Sequence, residues 1–155
     1  PSILLAVGLV AMLGPSINNV IIAIAIVMMP HFARTVRATT LGVRSQQYVE
    51  ASQAVGASDL RVMLRHVLPN IAAPIIVQAS LVFSYSISAE ASLSFLGVGN
   101  PPPSPSWGLM LRGTYGYVEQ TPTASIFPGL AITLCVLGFN VIGDGLRDFL
   151  DPARR

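Results

Sequence analysis

Three long stretches of this sequence carry almost no charge, and this pattern constrains the fold more than any other feature. Residues 17–33 and 125–143 contain no acidic residue, lysine or arginine, and residues 71–95 contain only Glu90. A helix rises about 1.5 Å per residue, so about 20 apolar residues cross the hydrocarbon core of a bilayer. Backbone groups in lipid must be hydrogen-bonded within their own segment, which favours helices. The sequence therefore predicts an all-α, polytopic transmembrane helical bundle.

A shorter apolar stretch precedes these runs. Residues 2–13 are apolar throughout but too few for a complete span. This stretch follows Pro1 directly, without the positively charged residues that begin a signal peptide. It therefore does not have the pattern of a signal peptide. We expect a C-terminal fragment in which residues 2–13 end a span that begins upstream. About four spans would then form a single transmembrane domain over residues 1–155.

Composition supports a membrane protein and excludes several other classes. Hydrophobic residues make up 52% and charged residues 10%, at a mean hydropathy of +0.65, whereas about 25% of residues are charged in soluble domains. All nine basic residues are arginine, so a phosphate-binding P-loop, which requires lysine, is excluded from this stretch. The net charge of +2 is too small to indicate nucleic acid as a partner.

The distribution of arginine predicts the orientation of the chain. Residues 34–69 carry five arginines against Glu50 and Asp59, and residues 145–155 carry three more. Because basic loops stay on the cytoplasmic side, we predict that both segments are cytoplasmic. Residues 97–123, which contain only Arg112 and Glu119 as charged residues, are predicted to form an external loop. The run from Pro101 to Pro105 favours an extended polyproline conformation there.

The predicted cytoplasmic loop contains a helix, a glycine and a second helix. Residues 45–55 are predicted to be helical, and Gly56 provides the left-handed residue that ends such a helix. Ser58 is a good N-cap for the next helix, with Asp59 in its first turn. The apolar residues of this second helix repeat at i, i+3, i+4 and i+7, and they are Leu60, Met63, Leu64 and Val67. Arg61 and Arg65 share another face.

This loop resembles the EAA loop of ABC-importer permeases. The family pattern is Glu-Ala-Ala, three residues, Gly, nine residues, Ile, one residue and Leu-Pro. The sequence has Glu50-Ala51-Ser52, then Gly56, then His66-Val67-Leu68-Pro69-Asn70, and it differs at Ser52 and His66. The His-x-Leu-Pro-Asn form is similar to the branch that serves dipeptides, oligopeptides and nickel. The runs 89–97 and 143–148 resemble the same branch, so the resemblance covers almost the whole chain.

The resemblance implies a type I permease subunit in the bacterial inner membrane. Its partners would be a second, homologous permease subunit, two ATP-binding subunits, an extracytoplasmic substrate-binding protein and the lipid bilayer. The chain itself would not be an enzyme and would have no catalytic residue, cofactor or metal, because ATP and Mg²⁺ would bind to the partner subunits. The residues expected to couple the chain to ATP hydrolysis are Glu50, Ala51, Gly56, Asp59, Arg61, Arg65, His66, Leu68 and Pro69.

A second group of candidate residues lies within the third long run. Serines occur there at intervals of four residues, which places Ser80, Ser84, Ser88 and Ser92 on one helical stripe near Glu90. A charge at the bilayer centre costs about 2.5 to 3.5 kcal/mol on insertion scales, so Glu90 needs a partner or a polar cavity. Two interpretations remain open. These residues line a translocation path, or they form interhelical hydrogen bonds of about 0.6 kcal/mol each.

Glycines in the last run also predict packing. Small residues allow two helices to approach closely, and Gly129, Ala131 and Gly138 are the candidates. Cys135 is the only cysteine and excludes an intrachain disulfide.

Two other functions are compatible with single features of the sequence. An ion-coupled secondary transporter would use Glu90 as its proton or cation site, but this leaves the EAA-like loop without a purpose. An intramembrane serine hydrolase would need His31 or His66 to reach a serine in the third run, and both histidines are predicted at the cytoplasmic edge. The two histidines are isolated and show no metal-ligand spacing. The cargo stays open between dipeptides, oligopeptides, nickel and other solutes.

Overall fold

The computed structural model describes residues 1–150, and residues 151–155 lie outside the described part of the chain. The predicted cytoplasmic positions of Asp151, Arg154 and Arg155 therefore lie outside it as well. The helices in chain order are α1 (Ser2–Leu13), α2 (Ile17–Arg44), α3 (Gln47–Ala54), α4 (Asp59–Val62), α5 (Leu68–Leu96), α6 (Trp107–Tyr115) and α7 (Thr123–Leu150). A π-helical turn, Met63–Val67, connects α4 to α5. The described residues contain no β-strand, which confirms the predicted all-α class.

Three helical stretches are long and apolar enough to cross a membrane. They are Ile17–Arg44, Asp59–Leu96 and Thr123–Leu150, whereas Ser2–Leu13 is apolar but shorter. Many large apolar side chains on these stretches are exposed, among them Ile21, Phe83, Phe127 and Leu134. Exposed apolar side chains along a long helix are expected where lipid covers the surface.

Helix α2 extends well beyond the predicted span of residues 17–33. It continues through Pro30 and ends at Arg44. In the extension, the Thr35 hydroxyl donates to the His31 carbonyl at 3.2 Å, and the Thr39 hydroxyl donates to the Thr35 carbonyl at 3.0 Å. Threonine hydroxyls can bond to the preceding turn in this way without leaving the helix. The first part of the predicted cytoplasmic loop is therefore helical.

Helix α5 does not begin where the sequence predicts. The uncharged run begins at Ile71, but the helix continues before it, and the Asn70 side-chain amide donates to the His66 carbonyl at 2.7 Å from inside a continuous helix instead of capping a new one. The Leu68 N–H bonds to the Met63 carbonyl, five residues back, and closes the π-helical turn. Pro69 follows directly and has no N–H, and its ring would clash with the carbonyl four residues earlier in a regular helix. A wider turn before Pro69 relieves that conflict.

The predicted external loop contains a helix that the sequence pattern did not predict. Helix α6 begins after Ser106, whose side chain accepts a hydrogen bond from the Gly108 N–H at 3.2 Å. The preceding proline run makes a turn in which the Ser104 N–H bonds to the Pro101 carbonyl at 3.3 Å. The expected extended polyproline conformation is therefore wrong for this part of the run.

The described chain divides into two compact units, each with its own apolar core. One unit consists of Pro1–Met29 and Val82–Asn140, and the other joins Pro30–Leu81 to the described residues from Val141 onward. The first core contains buried residues of α1, α2 and α5, which are Ala6, Val10, Val20, Ala23, Ile24, Val27, Met28, Ala89 and Leu93. The second contains Val49, Val62, Val67 and Ile71.

Candidate coupling element and Glu90 cavity

The turn between α3 and α4 has the backbone conformation predicted for Gly56. Its φ angle is +87°, in the left-handed region. The Gly56 N–H bonds to the Gln53 carbonyl at 2.9 Å, and the Ala57 N–H bonds to the Ser52 carbonyl at 3.1 Å. These bonds occupy carbonyls that the end of α3 would otherwise leave without partners. No described atom lies within 4 Å of the position that a Cβ would take at Gly56, so this side of the turn is open.

Residues 47–75 fold around a small core of branched side chains, which we call the coupling element. Val49, Val62, Val67 and Ile71 are buried together. Val62 and Val67 are five residues apart and still share one face because the π-helical turn lies between them. In a regular helix Val62 would not share a face with Val67, so the sequence pattern does not predict Val62 as a core residue.

The apolar side chains excluded from this core form an exposed patch, which we call the coupling surface and define as Leu60, Met63 and Leu64. Their exposed fractions are 61%, 51% and 53%. The predicted face contained these residues together with Val67, but only Val67 is buried. Three exposed apolar residues on two successive turns form a surface onto which a partner protein could dock.

The other predicted coupling residues lie mostly at the surface. The exposed positions are Glu50, Ala51, Asp59, Arg61, Arg65, Leu68 and Pro69. His66 is half-buried, and its ring centroid lies 6.2 Å from that of Tyr48 on α3. This contact joins α3 to the π-helical turn, so His66 takes part in the packing of the coupling element.

The serine stripe of α5 is not uniform. Ser80 and Ser84 are buried, Ser92 is half-buried and Ser88 is exposed. The Ser84 hydroxyl donates to the Val136 carbonyl of α7 at 3.3 Å. Ser80, Ser88 and Ser92 each donate to the carbonyl four residues earlier in α5. Ser84 thus makes an interhelical hydrogen bond, while the Ser88 hydroxyl lies on an exposed part of the helix.

A close approach between α5 and α7 occurs at Gly143. A Cβ at Gly143 would lie 3.0 Å from the Ser80 Cβ, which is tighter than ordinary van der Waals contact. No described atom comes within 4 Å of the corresponding position at Gly129 or Gly138. Within residues 1–150 the close approach therefore occurs at Gly143, and the role predicted for Gly129, Ala131 and Gly138 stays a prediction.

Glu90 accepts two hydrogen bonds from serine side chains near the end of α5. The Ser94 hydroxyl donates to Glu90 Oε1 at 2.6 Å, and the Ser106 hydroxyl donates to the same oxygen at 3.0 Å. Ser106 also caps α6 through its bond from the Gly108 N–H. Glu90 therefore has polar partners, as its position in an apolar run requires. Ser94 and Ser106 were missed as partners, although a serine before a short helical pattern is a recognisable cap signal.

Two glycines allow the loop after α5 to fold against the end of that helix. A Cβ at Gly108 would lie 2.8 Å from the Ala91 Cα, and one at Gly99 would lie 2.7 Å from the Ser94 Cα. The Val98 and Gly99 N–H groups both bond to the Leu93 carbonyl at 3.1 Å. These backbone contacts fix the position of Ser106 beside Glu90.

A cavity of about 320 Å³ opens beside the Glu90 carboxylate. It is lined by Ile17, Glu90, Asn100, Pro105, Ser106, Trp107 and Met110. A second cavity, of about 550 Å³, shares Asn100 and includes Arg112 among its lining residues. The Arg112 guanidinium lies against Gly97, where a Cβ would overlap it. Within residues 1–150, no three His, Cys, Asp or Glu side chains are grouped as metal ligands.

Comparison with known proteins identifies the family. The model of the binding-protein-dependent transport system inner membrane component family matches residues 1–155. A Brucella suis protein named as a peptide transport system permease is 51% identical over 152 residues, which cover 98% of this chain and 51% of that protein. The dipeptide transport system permease of Alkalihalophilus pseudofirmus is 50% identical over the same length, covering 98% of this chain and 50% of that protein.

A glutathione transport system permease of Escherichia coli O1:K1 is 49% identical over 152 residues, which cover 98% of this chain and 50% of that protein. The chain thus spans about half the length of the curated relatives it matches. It belongs to the family of binding-protein-dependent transport system inner membrane components and is a multi-pass inner-membrane protein.

Proposed function

We propose that this chain is part of the membrane permease subunit of an ATP-driven importer for peptides or a related small solute, which could include nickel. Its helices would contribute to the translocation path. The coupling surface carries this proposal: Leu60, Met63 and Leu64 are exposed on a short helical element that follows an open left-handed glycine turn. A patch of this kind fits a groove on another protein. The names of the three relatives, which refer to peptides, a dipeptide and glutathione, support peptides as the cargo class.

The connection between the coupling element and α5 suggests how movement would be transmitted. Helix α4, the π-helical turn and α5 follow each other without a loop. A displacement of the coupling surface by a partner would therefore act directly on the base of α5. Rigid-body movements of this type underlie many switching transitions. The energy would come from ATP binding and hydrolysis in the partner.

The proposed assembly contains a second permease subunit, two ATP-binding subunits and an extracytoplasmic substrate-binding protein. Membership in a binding-protein-dependent family supports this composition in general terms. ATP and Mg²⁺ would bind to the ATP-binding subunits, and this chain would bind no cofactor. These 155 residues contain no lysine and so cannot form a P-loop, which supports the assignment of ATP binding to the other subunits.

An ion-coupled secondary transporter is the less favoured alternative. It would use the Glu90 carboxylate as its proton or cation site, for which only Oε2 is open because Oε1 accepts hydrogen bonds from Ser94 and Ser106. It would also leave the exposed coupling surface without a function.

The test uses the full-length protein in its native operon background. We expect an affinity-tagged permease to copurify with an ATP-binding subunit, and the complex with its binding protein to drive uptake of radiolabelled alanyl-alanine into proteoliposomes only when ATP is hydrolysed. A matched preparation with a non-hydrolysable ATP analogue is the control. Uptake that follows a proton or sodium gradient in the absence of ATP would contradict the proposal and favour the secondary transporter.

A further inference from the structure

The Glu90 cavity combines one carboxylate with an otherwise largely apolar and aromatic lining. Ser94 and Ser106 both donate to Oε1. Among the described residues, Oε2 receives no hydrogen bond. The two serines hold the carboxylate in place and leave one oxygen able to accept from a ligand. The cavity volume of about 320 Å³ lies at the lower end of the range usual for small-molecule sites.

The lining indicates which kind of cation fits. Trp107 offers an aromatic ring, and Ile17, Pro105 and Met110 offer apolar surface. An aromatic ring beside a carboxylate recognises an organic ammonium group by cation–π attraction and ion pairing. A bare divalent metal ion would instead need several oxygen, nitrogen or sulfur ligands. Within residues 1–150, no group of three His, Cys, Asp or Glu side chains is present to supply them.

The neighbouring cavity adds a charge of the opposite sign. It is lined by Arg112 and shares Asn100 with the Glu90 cavity. Adjacent cavities with a carboxylate and a guanidinium match a zwitterion better than a simple cation. We infer that the Glu90 cavity binds the protonated amino group of a peptide, with Oε2 of Glu90 as the acceptor. This inference rests on the proposed function and names the chemical group of the cargo that the permease itself recognises.

The test measures access to the cavity by thiol labelling. Met110 lines the cavity and is exposed, so Met110→Cys is introduced into the full-length permease of the assembled complex, with Cys135→Ala and any other cysteines replaced. The modification rates by cationic aminoethyl and anionic sulfonatoethyl methanethiosulfonates are compared. At about 4 Å in water, Glu90 would attract the cationic reagent and repel the anionic one by about 1 kcal/mol each, so the cationic preference should exceed that at a control position by about thirtyfold. Glu90→Gln keeps an acceptor oxygen for both serines and should abolish this preference. Tyr117→Cys, exposed but outside the cavity lining, is the control position.

Ligand protection then tests the amino group directly. Millimolar alanyl-alanine should slow labelling of Met110→Cys several-fold, N-acetyl-alanyl-alanine should not, and Glu90→Gln should remove the protection. The two peptides are compared on the Met110→Cys permease that keeps Glu90. This comparison therefore tests the inference even if the Glu90→Gln permease does not assemble into the complex. Equal protection by the acetylated peptide, protection by nickel chloride alone, or no protection by any of these probes would overturn the inference.

The same complex separates this inference from the proposed function. ATP-dependent uptake of alanyl-alanine without protection at Met110→Cys would leave the function in place and overturn the site. Protection that is specific for the free amino group, in a complex that shows no ATP-dependent uptake, would support the site and contradict the function.

Discussion

The Ser106 hydroxyl donates to Glu90 Oε1 at 3.0 Å and accepts from the Gly108 N–H at 3.2 Å, so one side chain joins the carboxylate of α5 to the first turn of α6. A carboxylate near the end of an apolar helix is thereby also a structural partner of the following loop. This arrangement combines the two interpretations that the sequence left open for Glu90. One carboxylate oxygen makes structural hydrogen bonds, while the residue also lines a cavity.

Replacing the serine that makes this connection should loosen α6. Ser106→Ala removes the cap and the hydrogen bond to Glu90, and the loss of a cap costs about 1 kcal/mol. We expect hydrogen exchange of the α6 amides to accelerate about fivefold, the rate change that corresponds to this cost. Ser104→Ala is the control, because the Ser104 hydroxyl makes no hydrogen bond within residues 1–150. Equal exchange in both variants would show that Ser106 does not hold α6.

Glu90→Gln should reduce transport more than it reduces the amount of permease in the membrane. The amide oxygen can still accept from Ser94 and Ser106, so the fold should persist, while the negative charge in the cavity is lost. The measurement is peptide uptake normalised to subunit abundance. Glu119→Gln removes an exposed charge from the loop that follows α5 and serves as the control. Parallel losses of uptake and abundance would make Glu90 a packing or assembly residue only.

Gly143 should tolerate a larger side chain less well than a nearby glycine on α7. A Cβ at Gly143 would lie 3.0 Å from the Ser80 Cβ, whereas no described atom lies within 4 Å of that position at Gly145. Overpacking of this kind costs about 1 to 3 kcal/mol. We therefore expect Gly143→Val to lower the thermal unfolding midpoint of the purified full-length complex and Gly145→Val to change it little. Equal midpoints would mean that α5 and α7 do not approach closely at Gly143.

The arginine distribution predicts the orientation of the chain, and thiol labelling on intact cells can test it. In a full-length permease with Cys135→Ala and any other cysteines replaced, an impermeant reagent should label Ser104→Cys from outside and should reach Ser45→Cys only after the cells are permeabilised. Disruption of the membrane with detergent supplies the control for thiol reactivity. Labelling of Ser45→Cys in intact cells, or protection of Ser104→Cys, would reverse the assigned orientation.

Features that depend on local chemistry were predictable from the sequence. The uncharged runs predict long helices because lipid requires internally bonded backbone, and the left-handed conformation of Gly56 follows from its position at a helix end. The start of α5 differs from the start of the uncharged run at Ile71, because a π-helical turn before Pro69 joins α4 to α5 without a loop. That turn also changes which apolar side chains are buried.

Features that depend on contacts between distant residues were not predictable. Helix α6 is short, and its cap bonds to a carboxylate sixteen residues away. Among the glycines of the last run, Gly143 makes the close contact within residues 1–150, whereas Gly129 and Gly138 do not. This difference depends on the position of the facing helix α5, which the sequence does not show. Sequence spacing identified the serine stripe but did not reveal that Ser84 bonds across to Val136.

The most direct test of this account is stimulation of ATP hydrolysis by loaded binding protein in complexes that carry Leu60→Gln and Leu64→Gln. Both side chains are more than half exposed, so their replacement should not disturb the packing of this chain. It should weaken docking to the ATP-binding subunit and reduce both stimulation and uptake by about tenfold, as for buried interface residues. Met12→Gln, exposed on α1, should behave as wild type. Wild-type stimulation and uptake in the double variant would contradict the assignment of this surface to energy coupling.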